Sequence, residues 1–223
     1  GDIDNDGDID LIGGNLGLNY KYHATKEGPF QVFSNDINSD GKNDIVLGYD
    51  ENGKSYPLRG KQCSSQQIPE LKEKFPTYDM FAKATVEEVY EGKLDEALRI
   101  EVKDFSSAVF INEGGTFKRV NFPHQWQLFN WNDIVLTDIN SDGNLDVIAA
   151  GNLYEAEVET PRCDAGNGLI LIGKGDGTFN EIKPTAINWG NQNVKSLELI
   201  QINSKNAIII GNNNEQLEVL KFE

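Results

Sequence analysis

The sequence predicts an all-β fold, because an acidic segment followed by a short apolar run recurs along the chain. Residues 110–117 (FINEGGTF) and 171–179 (LIGKGDGTF) add a second recurring pattern, in which an apolar run leads into a glycine-rich turn and a Thr-Phe pair. This pattern is typical of β-hairpins, since glycine supplies the positive φ that tight turns need. Short runs of this kind without βαβ alternation indicate antiparallel sheets.

The acidic segment occurs in register three times, at residues 2–10 (DIDNDGDID), 36–44 (DINSDGKND) and 138–146 (DINSDGNLD), here called the first, second and third acidic loops. Each copy has side-chain oxygens at positions 1, 3, 5 and 9 and a glycine at position 6. In a tight loop this spacing directs the side chains towards one centre, and the residue at position 7 offers its carbonyl. Six or more hard oxygens at one centre suit Ca²⁺. The sequence therefore predicts three calcium sites.

The predicted ligands are the side chains at positions 1, 3, 5 and 9 and the backbone carbonyl at position 7. By this rule the ligands are Asp2, Asp4, Asp6, Asp10 and the Asp8 carbonyl in the first loop, Asp36, Asn38, Asp40, Asp44 and the Lys42 carbonyl in the second, and Asp138, Asn140, Asp142, Asp146 and the Asn144 carbonyl in the third. Because asparagine at position 3 lowers the ligand charge, we expect the first loop to bind most tightly.

The same spacing of acids has two alternative interpretations. An EF-hand needs a bidentate glutamate at position 12 and flanking helices, but that position holds Gly13, Leu47 or Ala149 and the following runs are β-like. The other alternative is a set of acidic turns without metal, which the in-register repetition disfavours.

A fourth copy of the repeat, residues 201–211 (QINSKNAIIIG), has lost its acids and its turn glycine. Gln201 replaces the first acid and Lys205 stands where the third was. We expect this copy to form a plain hairpin that binds no calcium.

The spacing of the copies indicates blades of a β-propeller. The last two copies begin at residues 138 and 201, an interval close to the length of a four-stranded blade, about 40–60 residues. The longer interval before them contains residues 68–91, which have helical spacing interrupted at Pro76, and Thr85 with Glu88 forms a capping-box pattern. We predict a helical insertion over residues 64–97 within one blade.

Composition narrows the classes of partner and compartment. The chain of 223 residues carries 36 acidic against 20 basic side chains, and a formal charge of −16 argues against nucleic acid as a partner. It has no apolar run long enough to cross a membrane. It begins at Gly1 inside a motif, so we expect a carboxy-terminal fragment with an export signal upstream. Cys63 and Cys163 form no CxxC pair, which leaves thiols or one disulfide open.

The loop pattern D-x-[DN]-x-D-G-x-x-D before an apolar strand resembles the FG-GAP/VCBS repeat of integrin-α-like propellers. Further segments resemble the carboxy-terminal propeller of large bacterial VCBS-repeat proteins akin to the cartilage acidic protein family (CRTAC-like, ASPIC/UnbV-associated): residues 15–19, 68–85, 158–179 and 212–222. The resemblance implies that residues 1–223 are the carboxy-terminal part of a seven- or eight-bladed ring, exported and often attached to the outer membrane. The chain departs from that family at Cys63 and Cys163, and if the protein is exported we expect one disulfide that joins the helical insertion to the 155–167 loop.

These patterns predict a protein without catalytic activity. The sequence has no nucleophile elbow or HExxH motif, and its two histidines, His23 and His124, stand apart from the acidic loops. We expect a calcium-stabilised scaffold, at the cell surface, as an outer-membrane lipoprotein or secreted, that binds proteins, including those of an outer-membrane assembly. The alternative is a receptor for a glycan or small ligand, carried by Tyr20, Tyr22, Trp126, Trp131 and Trp189.

Overall fold

The structure, a computed structural model, describes residues 1–156, 160–182 and 189–222. Strands make up 38% and helices 12% of the chain, in several antiparallel sheets, which confirms the all-β prediction. The chain divides into two compact units, residues 1–21 with 106–223 (the first unit) and residues 22–105 (the second unit). No helix among the described residues is long and apolar enough to span a membrane.

The strands of the described residues, in chain order, are β1 (Leu11–Gly13), β2 (Phe30–Asn35), β3 (Asp44–Glu51), β4 (Lys54–Pro57), β5 (Leu98–Val102), β6 (Ala108–Glu113), β7 (Thr116–Asn121), β8 (Asp133–Thr137), β9 (Asp146–Ala150), β10 (Leu169–Gly173), β11 (Phe179–Ile182), β12 (Val194–Ile202), β13 (Lys205–Asn212) and β14 (Glu218–Lys221). The helices are α1 (Lys61–Gln67), α2 (Leu71–Lys74), α3 (Tyr78–Lys83) and α4 (Val86–Tyr90), with a 3₁₀ turn at His124–Gln127.

The strands form antiparallel sheets in which most neighbours are also consecutive in the chain. The first unit contains the sheets β1-β6-β7, β11-β10-β9-β8 and β12-β13-β14, and the second unit contains β4-β3-β2-β5. The hairpins expected at residues 110–117 and 171–179 are present as β6–β7 and β10–β11. Each acidic loop leads directly into a strand: the first loop into β1, the second into β3 and the third into β9.

The pairing of β1 with β6 shows where the second unit is inserted in the sequence. Leu11 lies opposite Phe110 and Gly13 opposite Ala108, although all of the second unit separates these strands in sequence. The helices α1–α4 lie between β4 and β5, which belong to one sheet. In sequence, the β2–β3 repeat and these helices together lie between β1 and β6, two neighbouring strands of another sheet.

The helices of the second unit pack on one face of its sheet. Phe33 of β2 and Val46 of β3 share a buried cluster with Leu71, Phe81 and Val89 from the helical segment. The predicted capping box of α4 is confirmed: Thr85 Oγ1 accepts the Glu88 N–H at 3.2 Å, and Glu88 Oε2 accepts the Thr85 N–H at 2.8 Å. Pro76 falls between α2 and α3, where the helical run was expected to break.

The fourth copy of the repeat is a tight hairpin. Ile202 of β12 pairs with Lys205 of β13, and the intervening Asn203 and Ser204 have φ of 52° and 65°. Two consecutive residues of positive φ are characteristic of a type I′ turn, whose twist matches that of paired strands. The structure thus agrees with the hairpin predicted from the shortened loop.

Neither cysteine takes part in a disulfide in the structure, whereas an exported location favours a bridge between them. Cys63 lies in α1, whereas Cys163 is buried and exchanges two backbone hydrogen bonds of 2.8 Å with Leu153. Burial raises the pKa of the Cys163 thiol above its usual value, which disfavours the reactive thiolate. Residues 157–159 of the predicted partner loop lie outside the described residues.

Candidate metal centre

The three acidic loops share one backbone shape. In each loop the residues at positions 4 and 6 have positive φ, which most L-amino acids avoid. The values are 60° and 98° at Asn5 and Gly7, 60° and 84° at Ser39 and Gly41, and 62° and 89° at Ser141 and Gly143. Glycine at position 6 is therefore required by the turn, and the in-register sequence repeat corresponds to a structural repeat.

The carboxylate at position 9 closes each loop. Asp10, Asp44 and Asp146 are buried, with exposed fractions of 0%, 6% and 0%. Their Oδ2 atoms accept the backbone N–H of position 2 in the same loop, at 2.7 Å from Ile3, 3.0 Å from Ile37 and 2.9 Å from Ile139. This bond holds the two ends of the loop together, so position 9 has a structural role besides its predicted role as a ligand.

The other oxygen of position 9 ties two of the loops to a neighbouring strand. Asp10 Oδ1 accepts the N–H of Asn112 in β6 at 2.8 Å, and Asp146 Oδ1 accepts the N–H of Gly173 in β10 at 2.9 Å. The strand register is the same in both sheets, since Leu11 pairs with Phe110 as Val147 pairs with Leu171. The two loops are therefore seated identically.

In the second loop the neighbouring strand β4 does not reach the level of Asp44. The pairing of β3 with β4 ends at Gly48 and Pro57, several residues before the level of Asp44, and the chain then enters α1 at Lys61. The donor in the other two loops is a backbone N–H, which no residue type marks in the sequence, so only the distance from the acidic loop to the following hairpin turn could have indicated it.

The carboxylates at positions 1 and 5 accept backbone N–H groups of their own loop. Oδ2 of position 1 accepts the N–H of the position-6 glycine, at 3.1 Å for Asp2, 2.9 Å for Asp36 and 2.8 Å for Asp138. Oδ1 of position 5 accepts the N–H of position 7, at 2.8 Å for Asp6 and 2.9 Å for Asp40 and Asp142. In the second and third loops the other oxygen of position 1 is bonded as well: Oδ1 of Asp36 accepts the N–H of Asp40 at 3.0 Å, and Oδ1 of Asp138 accepts the N–H of Asp142 at 3.2 Å.

The first loop brings three of its predicted ligands together. Oxygens of Asp2, Asp4 and Asp10 all lie within 4.8 Å of one another. Asp2 Oδ1 is buried and has no hydrogen-bond partner among the described residues. Asp6, at position 5, is exposed and lies outside this triad. An orphaned carboxylate oxygen beside two other carboxylates is the arrangement that a hard cation would complete.

The second and third loops hold fewer carboxylates in the same frame. Asn38 and Asn140 stand at position 3, and each donates to the position-5 carboxylate of its own loop, to Asp40 at 3.5 Å and to Asp142 at 2.9 Å. Within the described ranges, no acidic, histidine or cysteine triad as close as that of the first loop occurs elsewhere. This agrees with the lower ligand charge expected from sequence.

The pKa values of the loop carboxylates shift in different directions at different positions. Desolvation, followed by the charges of Asp6 and Asp10, raises the pKa of Asp4 above that of an ordinary aspartate. Desolvation also raises the pKa of Asp146. In the third loop the backbone N–H of Asn144, with help from Asn140, lowers the pKa of Asp142. Without a counter-charge, the first loop thus carries the strain of like charges in close proximity.

Other residues suggested by the sequence lie elsewhere. Trp126, Trp131 and Trp189 are buried, with exposed fractions of 6%, 4% and 2%, so they offer no open stacking surface for a glycan. Tyr22 stacks on Phe30 with ring centroids 4.8 Å apart. The two histidines are exposed and belong to no cluster of ligand type in the described structure.

Comparison with known proteins gives no match to any family model, curated protein or solved structure. The resemblance to FG-GAP/VCBS propellers therefore depends on the residues of the chain themselves.

Proposed function

We propose that this chain is a calcium-stabilised part of a β-propeller that serves as a non-catalytic scaffold for protein partners. The observation that carries the calcium assignment is the convergence of Asp2, Asp4 and Asp10, together with the buried Asp2 Oδ1 that has no hydrogen-bond partner among the described residues. The donors are all oxygens, and the loop supplies them from alternate residues. Ca²⁺ accepts such irregular oxygen cages more readily than Mg²⁺, which demands a near-ideal octahedron.

Calcium at these loops would act on the sheets directly. The second loop connects β2 to β3 and the third connects β8 to β9, with Asn35 opposite Asp44 and Thr137 opposite Asp146. A cation that draws the loop carboxylates together fixes the ends of both strands. Because it binds the folded loop only, it adds to the free energy of unfolding.

The propeller assignment is supported by the repeated order of elements. The sheet β8-β9-β10-β11 is a four-stranded antiparallel meander with the third acidic loop between its first two strands. The sheet β1-β6-β7 repeats its last three strands in the same register. Meanders of this size repeated along a chain are the unit from which a propeller is built.

The expected setting is extracytoplasmic, at the cell surface, on the outer membrane or secreted. Loops with neutral asparagine at position 3 are weaker calcium sites, and sites of millimolar strength suit extracellular modules. The formal charge of −16 also keeps such a protein away from anionic polymers.

A protein partner is favoured over a glycan by the surfaces of the second unit. Leu98 and Ile100 on the edge strand β5 are 63% and 50% exposed, and Ile45 on β3 is 38% exposed. Exposed apolar side chains on a sheet suit a protein surface better than a sugar. The buried tryptophans remove the main feature that favoured a glycan.

The test is a calcium titration combined with affinity capture. Calorimetry should detect calcium binding to the chelator-treated protein, and capture from native membranes should retain a partner more strongly with calcium than with chelator. A protein that binds no calcium and melts at the same temperature with chelator would contradict the proposal.

A further inference from the structure

The first and third acidic loops touch each other. Asn5 Nδ2 donates to Asn144 Oδ1 at 2.8 Å, across 139 residues of sequence. Asn5 occupies position 4 of the first loop, between the predicted ligands Asp4 and Asp6. Asn144 occupies position 7 of the third loop, where its own carbonyl is a predicted ligand. A hydrogen bond between two side chains thus links the two loops, each of which is predicted to hold its own cation.

Each asparagine is also fixed within its own loop. Asn5 has a φ of 60°, so its backbone adopts the left-handed turn on which the first loop depends. The backbone N–H of Asn144 donates to Asp142 Oδ1 at 2.9 Å, which couples its peptide to a predicted ligand of the third loop. A change in the shape of either loop therefore moves one end of the contact.

The turn between β10 and β11 covers this contact. A Cβ atom on Gly175 would meet both Asn144 Oδ1 and Asn5 Nδ2, so a larger residue there would displace the two asparagine side chains, and the φ of 70° also favours glycine. The same turn begins at Gly173, whose N–H donates to Asp146 Oδ1 of the third loop at 2.9 Å. Closure of the third loop is thus linked to the first loop by two routes, the asparagine pair and the turn above it.

On the basis of the proposed calcium function, we propose that the first and third acidic loops bind calcium cooperatively through the Asn5–Asn144 contact. Binding at one loop fixes the loop and its asparagine, so the second ion meets a partner loop that is already ordered and loses less conformational freedom. The coupling is reciprocal, because each ion changes the affinity of the other by the same factor. One exposed neutral hydrogen bond supports a coupling of about fivefold, the low end of the usual range.

The experiment measures the calcium affinity of the first loop with and without a working third loop. All proteins are the full 223-residue chain with Asp40→Ala, which disables the second loop. Asp142→Ala then disables the third loop, and Asn5→Gly removes the contact while tolerating the positive φ. Occupancy is followed by NMR at the backbone amides of Gly7 and Gly143, one in each loop, during titration with CaCl₂ at constant ionic strength.

With Asn5 present, we expect Asp142→Ala to weaken calcium binding at Gly7 about fivefold. In the Asn5→Gly protein, Asp142→Ala should alter the calcium affinity measured at Gly7 by less than about twofold. Ser39→Gly is the matched control, since Ser39 holds the equivalent position of the disabled loop with a φ of 60°. It should leave the coupling intact.

The outcomes separate the two proposals. If Gly7 and Gly143 both respond to calcium but Asp142→Ala leaves the affinity at Gly7 unchanged, the coupling is wrong and calcium binding stands. An equal loss with and without Asn5 would assign the coupling to something other than this contact and would also overturn it. If neither amide responds, the calcium function itself is wrong.

Discussion

Asp10 accepts the backbone N–H of Asn112 at 2.8 Å, across 102 residues of the chain, while its other oxygen accepts the N–H of Ile3 at 2.7 Å. One fully buried carboxylate therefore closes the first acidic loop and fastens it to β6. Both bonds join groups of the protein itself, which gives Asp10 a structural role besides its predicted role as a ligand.

Asp10→Asn should therefore destabilise the protein even in chelator. The amide places an N–H₂ group against a backbone N–H in a buried site, and a buried donor left unsatisfied costs about 1–3 kcal/mol. The measurement is urea denaturation in the presence of EDTA. Asp6→Asn is the matched control, because Asp6 is exposed, and it should change the free energy of unfolding by less than about 0.5 kcal/mol. Equal effects of the two variants would refute the structural role of Asp10.

Removal of calcium should lower the melting temperature, since a ligand that binds only the folded state stabilises it by about 2.7 kcal/mol at a hundredfold excess over Kd. Asp40→Ala and Asp142→Ala should each reduce the difference between calcium and chelator. Lys205→Met should leave it unchanged, because the fourth copy is a two-residue hairpin turn. Scanning calorimetry with and without EDTA checks this, and an identical melting temperature in both buffers would show the loops to be acidic turns alone.

The capping box of α4 gives a prediction that is independent of metal. Thr85→Ala should cost about 1 kcal/mol of unfolding free energy, as loss of a capping hydroxyl usually does. Chemical denaturation is the measurement. Thr116→Ala, on the exposed strand β7, serves as the comparison and should have the smaller effect. A larger loss from Thr116 than from Thr85 would contradict the role of the cap.

Glu88 adds a pH dependence to the same helix. The backbone N–H of Thr85 lowers the pKa of Glu88, so the folded state holds the charged form more strongly than the unfolded state does. This stabilisation is present above the usual glutamate pKa, about 4.3, and is lost as the pH falls through the lowered folded value. Glu88→Gln should flatten the stability profile in that acidic range, whereas Glu87→Gln, one residue away, should not. Unfolding curves of the two variants between about pH 6 and 3 measure this difference in the pH dependence of stability.

The cysteines provide a chemical test of the fold. Since Cys63 and Cys163 are not joined in the structure, thiol titration of the denatured, unreduced protein should find two reactive groups. In the native protein Cys163 should react slowly, because it is buried. A titration that finds no thiol would establish the disulfide that an exported location favours.

Local features of this chain were predictable because their causes are local. The spacing of acids and glycine in residues 2–10 fixed the loop shape, Thr85 with Glu88 marked the start of α4, and the shortened copy at residues 201–211 indicated a hairpin. Each of these depends on groups a few residues apart in sequence.

Features that depend on distant pairing were not predictable in the same way. The partner of β1 is β6, beyond the whole second unit, and no periodic pattern marks that relation. The donor that Asp10 finds in β6 is a backbone group, which every residue except proline carries. Sequence alone does not distinguish a core aromatic from an exposed one. The tryptophans suggested for glycan binding are in fact buried, namely Trp126, Trp131 and Trp189.

The insertion between β1 and β6 makes the chain modular. The second unit begins and ends at one place, where the rings of Tyr22 and Phe105 lie with centroids 6.5 Å apart, much as the close termini of an independent domain do. A segment joined at such a point can be lengthened, exchanged or deleted in evolution without breaking the host sheet. Relatives with a short turn in place of residues 22–105 would then keep the first and third acidic loops and lack the second, with its helices, as a single event.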